Sequence, residues 1–117
     1  MKQLSEITVG FIGFGNMAGA IAKGLIRQQA VRPEQLCACA KNWDKLCANT
    51  QKLGMRAYQN ASEVVFASDV VFVAVKPYLV REVLEPVRDL LAGKIVISVA
   101  AGCPFDWYEA FLSPGTH

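Results

Sequence analysis

Residues 8–25 of the chain read TVGFIGFGNMAGAIAKGL. The run that opens this stretch, residues 7–12, is apolar and rich in β-branched side chains, which is typical of a strand buried on both faces. From Asn16 onward, small and apolar residues recur at helical spacing. Between the two lie Gly13, Gly15 and Ala18, in the pattern G-x-G-x-x-A. A strand, a glycine turn and a helix in this order favour a fold that binds dinucleotides.

Each small residue of this turn suits a phosphate site. Gly13 allows the chain to reverse tightly after the strand, and Gly15, which has no Cβ, lets a pyrophosphate lie against the backbone at the positive end of the helix dipole. Ala18 lets the helix approach the strand closely. Gly19 and Gly24 are expected to continue this close packing, because an interior glycine costs a helix about 1 kcal/mol relative to alanine. The alternative is a glycine turn that binds nothing.

Composition places the chain among globular α/β proteins of one domain. Its 117 residues are 53% hydrophobic and 19% charged, which suits a well-filled core. The net charge of +2 is small and the basic residues are scattered, so we expect no nucleic-acid partner. No apolar run reaches the roughly 18 residues of a membrane span, and residues 1–6 carry no signal-peptide pattern. We therefore expect no membrane association and a cytoplasmic location.

The four cysteines do not form a metal-binding pattern. Cys37 and Cys39 are two residues apart in a predicted strand and therefore point to one face, while Cys47 and Cys103 are remote in sequence. A C-x-C pair without a second ligand pair is not a zinc spacing, and the only histidine is His117. We expect reduced, structural thiols and no metal site.

Turn residues and apolar periodicity predict alternating strands and helices along the chain. The strands are predicted at residues 7–12, 36–40, 55–58, 69–75 and 95–99, and the helices at 16–29, 43–53, 63–67, 79–91 and 105–112. Trp43 and Phe66 are expected to pack inward. Ser62 is expected to cap the third helix, and Pro86 is expected to kink the fourth or break it into two pieces. Connections of this length make right-handed crossovers, so we predict an α/β fold with a doubly wound parallel sheet of the Rossmann type, in strand order 3-2-1-4-5.

The end of the second strand indicates which cofactor binds. Ligands of doubly wound sheets bind outside the carboxyl ends of the strands, and NAD sites usually have an acidic residue after the second strand. Here the chain reads Ala40, Lys41, Asn42, with no acid before Asp44. A small residue followed by a lysine leaves space and positive charge for a 2′-phosphate, so NADP is favoured, as NADPH rather than NADH. The alternatives are a solvated lysine, or a loop that brings Asp44 back to the ribose.

Two further residues follow strands at the same edge. Lys76 comes after the fourth strand, beside the expected nicotinamide ribose, where a cation can bond the cofactor or an anionic substrate. The alternative is a strand-end lysine that reaches solvent. Asn60 follows the third strand and is the weaker candidate, because asparagine is common in turns.

Three ordered segments of the chain carry a family resemblance. They are GFIGFGNMAGAIAKGL at residues 10–25, VFVAVKP at 71–77 and VISVAAG at 96–102. Together they resemble the N-terminal domain of the pyrroline-5-carboxylate reductases, over nearly the whole chain. The resemblance implies an oxidoreductase of proline biosynthesis, which moves a hydride from NAD(P)H to the C=N carbon of 1-pyrroline-5-carboxylate and gives L-proline.

The resemblance also assigns cofactor-binding positions. It implies that the pyrophosphate is held by Ile12, Gly13, Phe14, Gly15, Asn16 and Met17. It implies that the adenosine half lies against Ala40, Lys41, Asn42 and Asn60. It implies that the nicotinamide side is lined by Ala74, Val75, Lys76, Pro77, Val99, Ala100, Ala101 and Gly102.

The end of the chain departs from the family pattern. Family members continue into a helical C-terminal domain that builds a homo-oligomer and supplies most of the substrate pocket, whereas this chain stops at His117 in a predicted loop. We therefore expect residues 1–117 to be the NAD(P)-binding domain, with no catalytic side chain of its own and little reductase activity. Two other classes stay open: another NADP-linked reductase of this fold, F420-dependent or acting on a 3-hydroxyacid, and a non-catalytic dinucleotide-binding module.

Overall fold

The computed structural model of the chain describes residues 6–99. Within these residues, five strands form one sheet: β1 (Val9–Ile12), β2 (Leu36–Cys39), β3 (Arg56–Ala57), β4 (Val70–Val73) and β5 (Ile95–Ser98). All neighbouring strands pair in parallel, in the order β3-β2-β1-β4-β5. The predicted strand order is confirmed, and with it the doubly wound, Rossmann-like architecture.

Helices connect the strands and cover both faces of the sheet. They are α1 (Asn16–Arg27), α2 (Trp43–Leu53), α3 (Ala61–Ala67) and α4 (Val80–Leu84), with 3-10 turns at Pro33–Gln35, Pro77–Leu79 and Glu85–Val87. Buried residues of α1 and α2 share one core cluster with the strands, and those of α3 and α4 share the other. The helix predicted at residues 105–112 lies outside the described part of the chain.

The core under α1 and α2 is built on aromatic side chains. Phe11 of β1 is fully buried there. It stacks on Phe72 with ring centroids 5.1 Å apart, and it meets Phe14 edge-on at 5.6 Å. Ala18 and Ala22 are the buried residues of α1. The prediction that Ala18 faces the strand is therefore confirmed.

On the opposite face, α3 lies very close to β1 at Gly10. A Cβ built on Gly10 would collide with Ser68 Oγ and come within 2.5 Å of Val64 Cγ1. The Ser68 hydroxyl donates a hydrogen bond to the carbonyl oxygen of Val64 at 2.6 Å, which holds it in that place. Gly10 is thus a packing glycine, a role that the sequence analysis did not anticipate.

The buried thiols lie on this same face. Cys37 and Cys39 are both buried in the cluster of α3 and α4, so the prediction that they share one face is confirmed. Cys37, Cys39 and Cys47 are free cysteines, and Cys103 lies outside the described residues. Burial raises the pKa of the Cys37 thiol, and it raises the pKa of Cys39 to about 11. Both thiols are therefore uncharged at neutral pH.

The structure corrects three details of α2 and α3. Asn60, rather than Ser62, caps α3, because its Oδ1 accepts a hydrogen bond from the Glu63 N–H at 2.9 Å. Phe66 is 79% exposed, since the adjacent valines of α3 face the sheet and the next position points away from it. Trp43 is also exposed, because α2 begins beyond the carboxyl ends of the strands. The predictions that Phe66 and Trp43 pack inward were wrong.

The region predicted as a helix at residues 79–91 is interrupted at Pro86, as expected. α4 ends at Leu84, and the 3-10 turn Glu85–Val87 contains the proline. Proline has no N–H to donate and its ring clashes with the preceding helical turn. The helix does not resume afterwards, so the predicted length was wrong.

Candidate functional site

The carboxyl ends of the central strands are tied together by main-chain hydrogen bonds. The N–H of Gly13 donates to the carbonyl oxygen of Cys39 at 2.9 Å, and the N–H of Ala74 donates to that of Ile12 at 2.9 Å. The N–H of Val99 continues the series by donating to the last residue of β4 at 3.0 Å. The segments that follow β1, β2, β4 and β5 therefore meet at one edge, where ligands of doubly wound sheets bind.

Gly13 is required at the turn for two separate reasons. Its φ is +89°, a conformation that side chains with a Cβ rarely adopt. A Cβ there would also lie 2.8 Å from the carbonyl oxygen of Ala74 and 2.9 Å from Cγ1 of Val75. The tight reversal predicted from the sequence is present, and it places the start of α1 beside the end of β4.

Gly15 has the opposite surroundings. It is exposed, its φ is −90°, and a Cβ built on it would meet no atom of residues 6–99 within 4 Å. The first turn of α1 has no acidic residue, and no side chain within residues 6–99 caps it. Within residues 6–99, no acid and no side-chain cap therefore offsets the positive end of the helix dipole, which is the arrangement that an anion needs.

The other two glycines of α1 do not pack closely against the described part of the chain. A Cβ on Gly19 or on Gly24 would meet none of its atoms within 4 Å. Ala18 and Ala22, four residues apart, form the side of α1 that faces the sheet, and the two glycines lie away from that side. The prediction that Gly19 and Gly24 continue a close-packed seam was therefore wrong.

The segment after β2 combines a capping residue with an exposed cation. The Oδ1 of Asn42 accepts a hydrogen bond from the Lys45 N–H at 3.1 Å and so caps α2. Lys41 is exposed immediately before this cap, and Asp44 is exposed in the first turn of the helix. Trp43 is 40% exposed as the first residue of α2. Its apolar side chain predicted a core position, so Trp43 was not among the candidates predicted at this edge.

The segment after β4 carries a second exposed cation. Ala74 and Val75 are half-buried, and Lys76 is exposed just before the 3-10 turn Pro77–Leu79. Tyr78, within this turn, is 79% exposed. Tyr78 directly follows a proline that ends a strand, and this position in the sequence could have identified it as a candidate site residue. The candidates Ala100, Ala101 and Gly102 lie outside the described residues.

Most of the chain matches a known protein family. Residues 8–102 match the model of the family described as NADP oxidoreductase, coenzyme F420-dependent. The chain belongs to this family. It is thus a member of a family of NADP-dependent oxidoreductases.

Several similar proteins are pyrroline-5-carboxylate reductases. The pyrroline-5-carboxylate reductase of Treponema pallidum is 40% identical over 111 residues, which cover 95% of this chain and 42% of that relative. A structure of a pyrroline-5-carboxylate reductase from Coxiella burnetii is 33% identical with a TM-score of 0.86, over 94% of this chain and 41% of that one. The resemblance seen in the sequence is therefore confirmed. The chain spans about two-fifths of the length of these relatives.

A more distant structure supports the fold. The crystal structure of Plasmodium falciparum pyrroline carboxylate reductase, which has NADP bound, is 22% identical with a TM-score of 0.83, over 96% of this chain and 40% of that one. At this identity the likeness concerns the fold alone.

Among the described residues, no helix of this family member has the length and apolar character that crossing a membrane requires.

The structure thus brings most of the sequence-predicted positions to one edge. Residues 12–17, 40–42, 74–77 and Val99 follow neighbouring strands and meet there. Asn60 follows the peripheral strand β3, and its side chain is occupied in capping α3. The edge holds two exposed lysines and an uncapped helix start, so it suits a ligand with separated negative charges.

Proposed function

We propose that this chain is the NAD(P)H-binding part of a pyrroline-5-carboxylate reductase, which reduces 1-pyrroline-5-carboxylate to L-proline. The observation that carries the proposal is the open backbone at Gly15, at the start of α1, in a chain whose relatives at 40% and 33% identity bear that name. Bound NADPH supplies the hydride. The residues of this chain bind and orient it, since positioning is the main contribution of a protein to hydride transfer.

The pyrophosphate is proposed to lie against the turn after β1. Gly15 leaves room for it, and the unpaired N–H groups of the first turn of α1 donate to its oxygens. Gly13 keeps the turn tight enough for the helix start to reach the ligand. The proposed contacts are those of Ile12, Gly13, Phe14, Gly15, Asn16 and Met17.

The adenosine half is proposed to lie across the end of β2, against Ala40, Lys41, Asn42 and Asn60. Lys41 is exposed beside a small residue, and the nearest acid, Asp44, is already part of α2. An ammonium group there attracts a 2′-phosphate, which NADPH has and NADH lacks. We therefore propose that the chain prefers NADPH.

The nicotinamide side is proposed to lie over the ends of β4 and β5, against Ala74, Val75, Lys76, Pro77, Val99, Ala100, Ala101 and Gly102. Lys76 is exposed at this side, where its ammonium group can hold a carboxylate or a ribose hydroxyl. We assign no catalytic side chain to this chain. We propose that a further helical domain, outside residues 1–117, supplies the substrate pocket and builds a homo-oligomer, and that the enzyme is cytoplasmic.

A titration of NADPH and NADH into the chain tests this proposal. Trp43 lies beside the proposed adenosine site, so the variant Trp107→Phe leaves Trp43 as the only tryptophan, and its fluorescence reports binding. We expect saturable binding, with NADPH tighter by about tenfold, or about 1.4 kcal/mol. Lys41→Gln should remove this difference, and Lys45→Gln, an exposed lysine in the same helix region, should retain it. If neither cofactor binds to the folded chain at millimolar concentration, the proposed role of the turn is wrong.

A second candidate function follows from the name of the family. The matched family is described as coenzyme F420-dependent, so a hydride exchange between NADP and coenzyme F420 is the competing activity. An assay of the full-length protein with each substrate separates the two. Turnover of coenzyme F420 without turnover of 1-pyrroline-5-carboxylate would reverse the assignment.

A further inference from the structure

Two aromatic side chains are exposed at the carboxyl edge of the sheet. Trp43 is 40% exposed and Tyr78 is 79% exposed. Within residues 6–99, neither of them contacts another aromatic ring, and neither the indole N–H of Trp43 nor the hydroxyl of Tyr78 makes a hydrogen bond. A chain gains free energy by burying large rings. Two such rings left uncovered at one edge therefore favour a binding surface there.

The two rings follow strands that lie on either side of β1. Ile12, the last residue of β1, pairs with Cys39 of β2 on one side and with Val73 of β4 on the other. The three strands therefore end at the same level. Trp43 follows Cys39 closely in the chain, and Tyr78 follows Val73. The two aromatic residues thus lie in segments that leave the sheet at one height, with the end of β1 between them.

The same two segments turn to opposite faces of the sheet. α2, which begins at Trp43, packs its Leu46 into the core cluster that also contains α1. Val80, just beyond Tyr78, is buried in the cluster of α3 and α4. In a doubly wound sheet, connections that go to opposite faces leave a crevice at the carboxyl ends of the strands. Trp43 and Tyr78 therefore border this crevice from opposite sides.

The width of the crevice suits one flat ring. Neighbouring strands lie about 4.8 Å apart, so β2 and β4, with β1 between them, are about 10 Å apart. A ring held between two others at a van der Waals distance of about 3.5 Å on each side needs about 7 Å. Side chains from the two segments can thus cover both faces of one heteroaromatic ring.

A lysine accompanies each aromatic residue. The chain reads Lys41, Asn42, Trp43 after β2 and Lys76, Pro77, Tyr78 after β4. Both lysines are exposed, so positive charge lies on both sides of the crevice. A flat base that carries phosphate groups offers its π face to the rings and its negative charge to the ammonium groups.

We propose that Trp43 and Tyr78 stack on the two faces of the adenine ring of the cofactor, as a pair that we call the aromatic clamp. This inference rests on the proposed cofactor function and adds the residues that recognise the base. Stacking needs a flat π system and no particular pattern of hydrogen bonds. Lys76 stays on the nicotinamide side, because the chain turns after it, with the Leu79 N–H donating to the Lys76 carbonyl oxygen at 2.8 Å.

The compound 2′,5′-ADP, which is the adenosine part of NADP, is the probe that tests the aromatic clamp. It does not absorb light at the wavelengths of indole emission, so quenching by energy transfer is excluded. In the Trp107→Phe variant, Trp43 is the only tryptophan. We expect saturable quenching of its fluorescence, with the same dissociation constant that calorimetry gives. Binding by calorimetry without any change in Trp43 emission would overturn the inference.

Matched variants separate ring stacking from other effects. Trp43→Leu and Tyr78→Leu keep an apolar side chain and remove the ring, and each should weaken 2′,5′-ADP binding about tenfold by calorimetry. Trp43→Phe and Tyr78→Phe keep a ring and should retain most of the affinity. Phe66→Leu is the control, because Phe66 is also 79% exposed and lies near the end of α3, away from this edge. Chemical denaturation checks that every variant is folded. Equal affinity of the leucine and phenylalanine variants would overturn the inference.

The same titrations distinguish failure of the aromatic clamp from failure of the proposed function. If NADPH binds and the leucine variants bind 2′,5′-ADP as the unmodified chain does, the adenine lies elsewhere, and the cofactor assignment stands without the clamp. If neither NADPH nor 2′,5′-ADP binds to the folded chain, the proposed function is wrong and the inference fails with it. If 2′,5′-ADP binds with the expected loss in the leucine variants while NADPH does not bind, the clamp stands and the cofactor assignment is wrong.

Discussion

The glycines of β1 and of the turn that follows it, Gly10 and Gly13, have surroundings opposite to those of the glycines at the start of α1 and within it. At Gly10 and Gly13 a Cβ would collide with neighbouring atoms, whereas at Gly15, Gly19 and Gly24 it would meet no described residue within 4 Å. The first pair therefore exists for packing and backbone conformation. The second group leaves backbone accessible, and at Gly15, the N-cap of α1, this accessible backbone is what the proposed pyrophosphate site needs. One residue type thus marks both the core and the candidate site.

Gly10→Ala should give the largest effect on stability. The added methyl group would collide with the Ser68 hydroxyl and with Val64, both of which are buried. Overpacking of this kind costs about 3 kcal/mol. Chemical denaturation measures the loss, and the double variant Gly10→Ala with Ser68→Ala should recover part of it. An unchanged unfolding midpoint would mean that α3 moves away from β1 at little cost.

Gly13→Ala should cost somewhat less, about 2 kcal/mol. The substitution forces a residue with a Cβ into a φ of +89° and pushes it toward the carbonyl oxygen of Ala74. The same denaturation experiment measures it. Cofactor affinity should fall in parallel, because the turn and the start of α1 shift together. Retained affinity with lost stability would show that the exact path of the turn does not matter for binding.

Gly15→Ala should separate binding from stability. The new methyl group enters open space, so the folded chain loses only about 1 kcal/mol through the poorer helix cap. The same methyl group would occupy the position proposed for the pyrophosphate, and the affinity for NADPH and NADH should fall about tenfold, or 1.4 kcal/mol. A calorimetric titration of both cofactors checks this. Undiminished affinity would remove Gly15 from the proposed site.

Gly24→Ala should give the smallest effect, with the opposite sign. Gly24 lies inside α1, is exposed and has no neighbour within residues 6–99 that a methyl group would touch. Alanine should therefore stabilise the chain by about 0.5–1 kcal/mol through helix propensity and a less flexible unfolded state. Thermal unfolding measures the gain, and cofactor affinity should not change. A loss of stability would point to a contact with residues outside 6–99.

The strand order was predictable because it follows from the alternation of strands and helices and from the right-handedness of the connections between parallel strands. Both are properties of the whole sequence pattern. The positions at the carboxyl edge were predictable for the same reason, since they follow the strands in sequence. Side-chain directions were less predictable. Phe66 and Trp43 are apolar, but one points away from the sheet and the other lies past its end.

Competition between nearby residues for the same structural role also limited the prediction. Asn60 and Ser62 are both good helix caps, and the sequence predicted Ser62 where the structure has Asn60. The close contact at Gly10 depends on how α3 lies on β1, a distance that periodicity does not encode. Which side chains at the edge bind a ligand is likewise a property of the three-dimensional arrangement, and for Lys41 and Lys76 it stays a prediction.

The main-chain hydrogen bonds at the edge of the sheet have a consequence for how this site can change. Gly13, Ala74 and Val99 hold the strand ends together through backbone atoms alone. The exposed side chains around them, Lys41, Trp43, Lys76 and Tyr78, contribute nothing to those bonds. Substitutions at these four positions can therefore accumulate at little cost in folding. In a scaffold of this kind the backbone maintains the fold, and the side chains at the edge determine the ligand. The edge is therefore a natural starting point for redesigning cofactor preference.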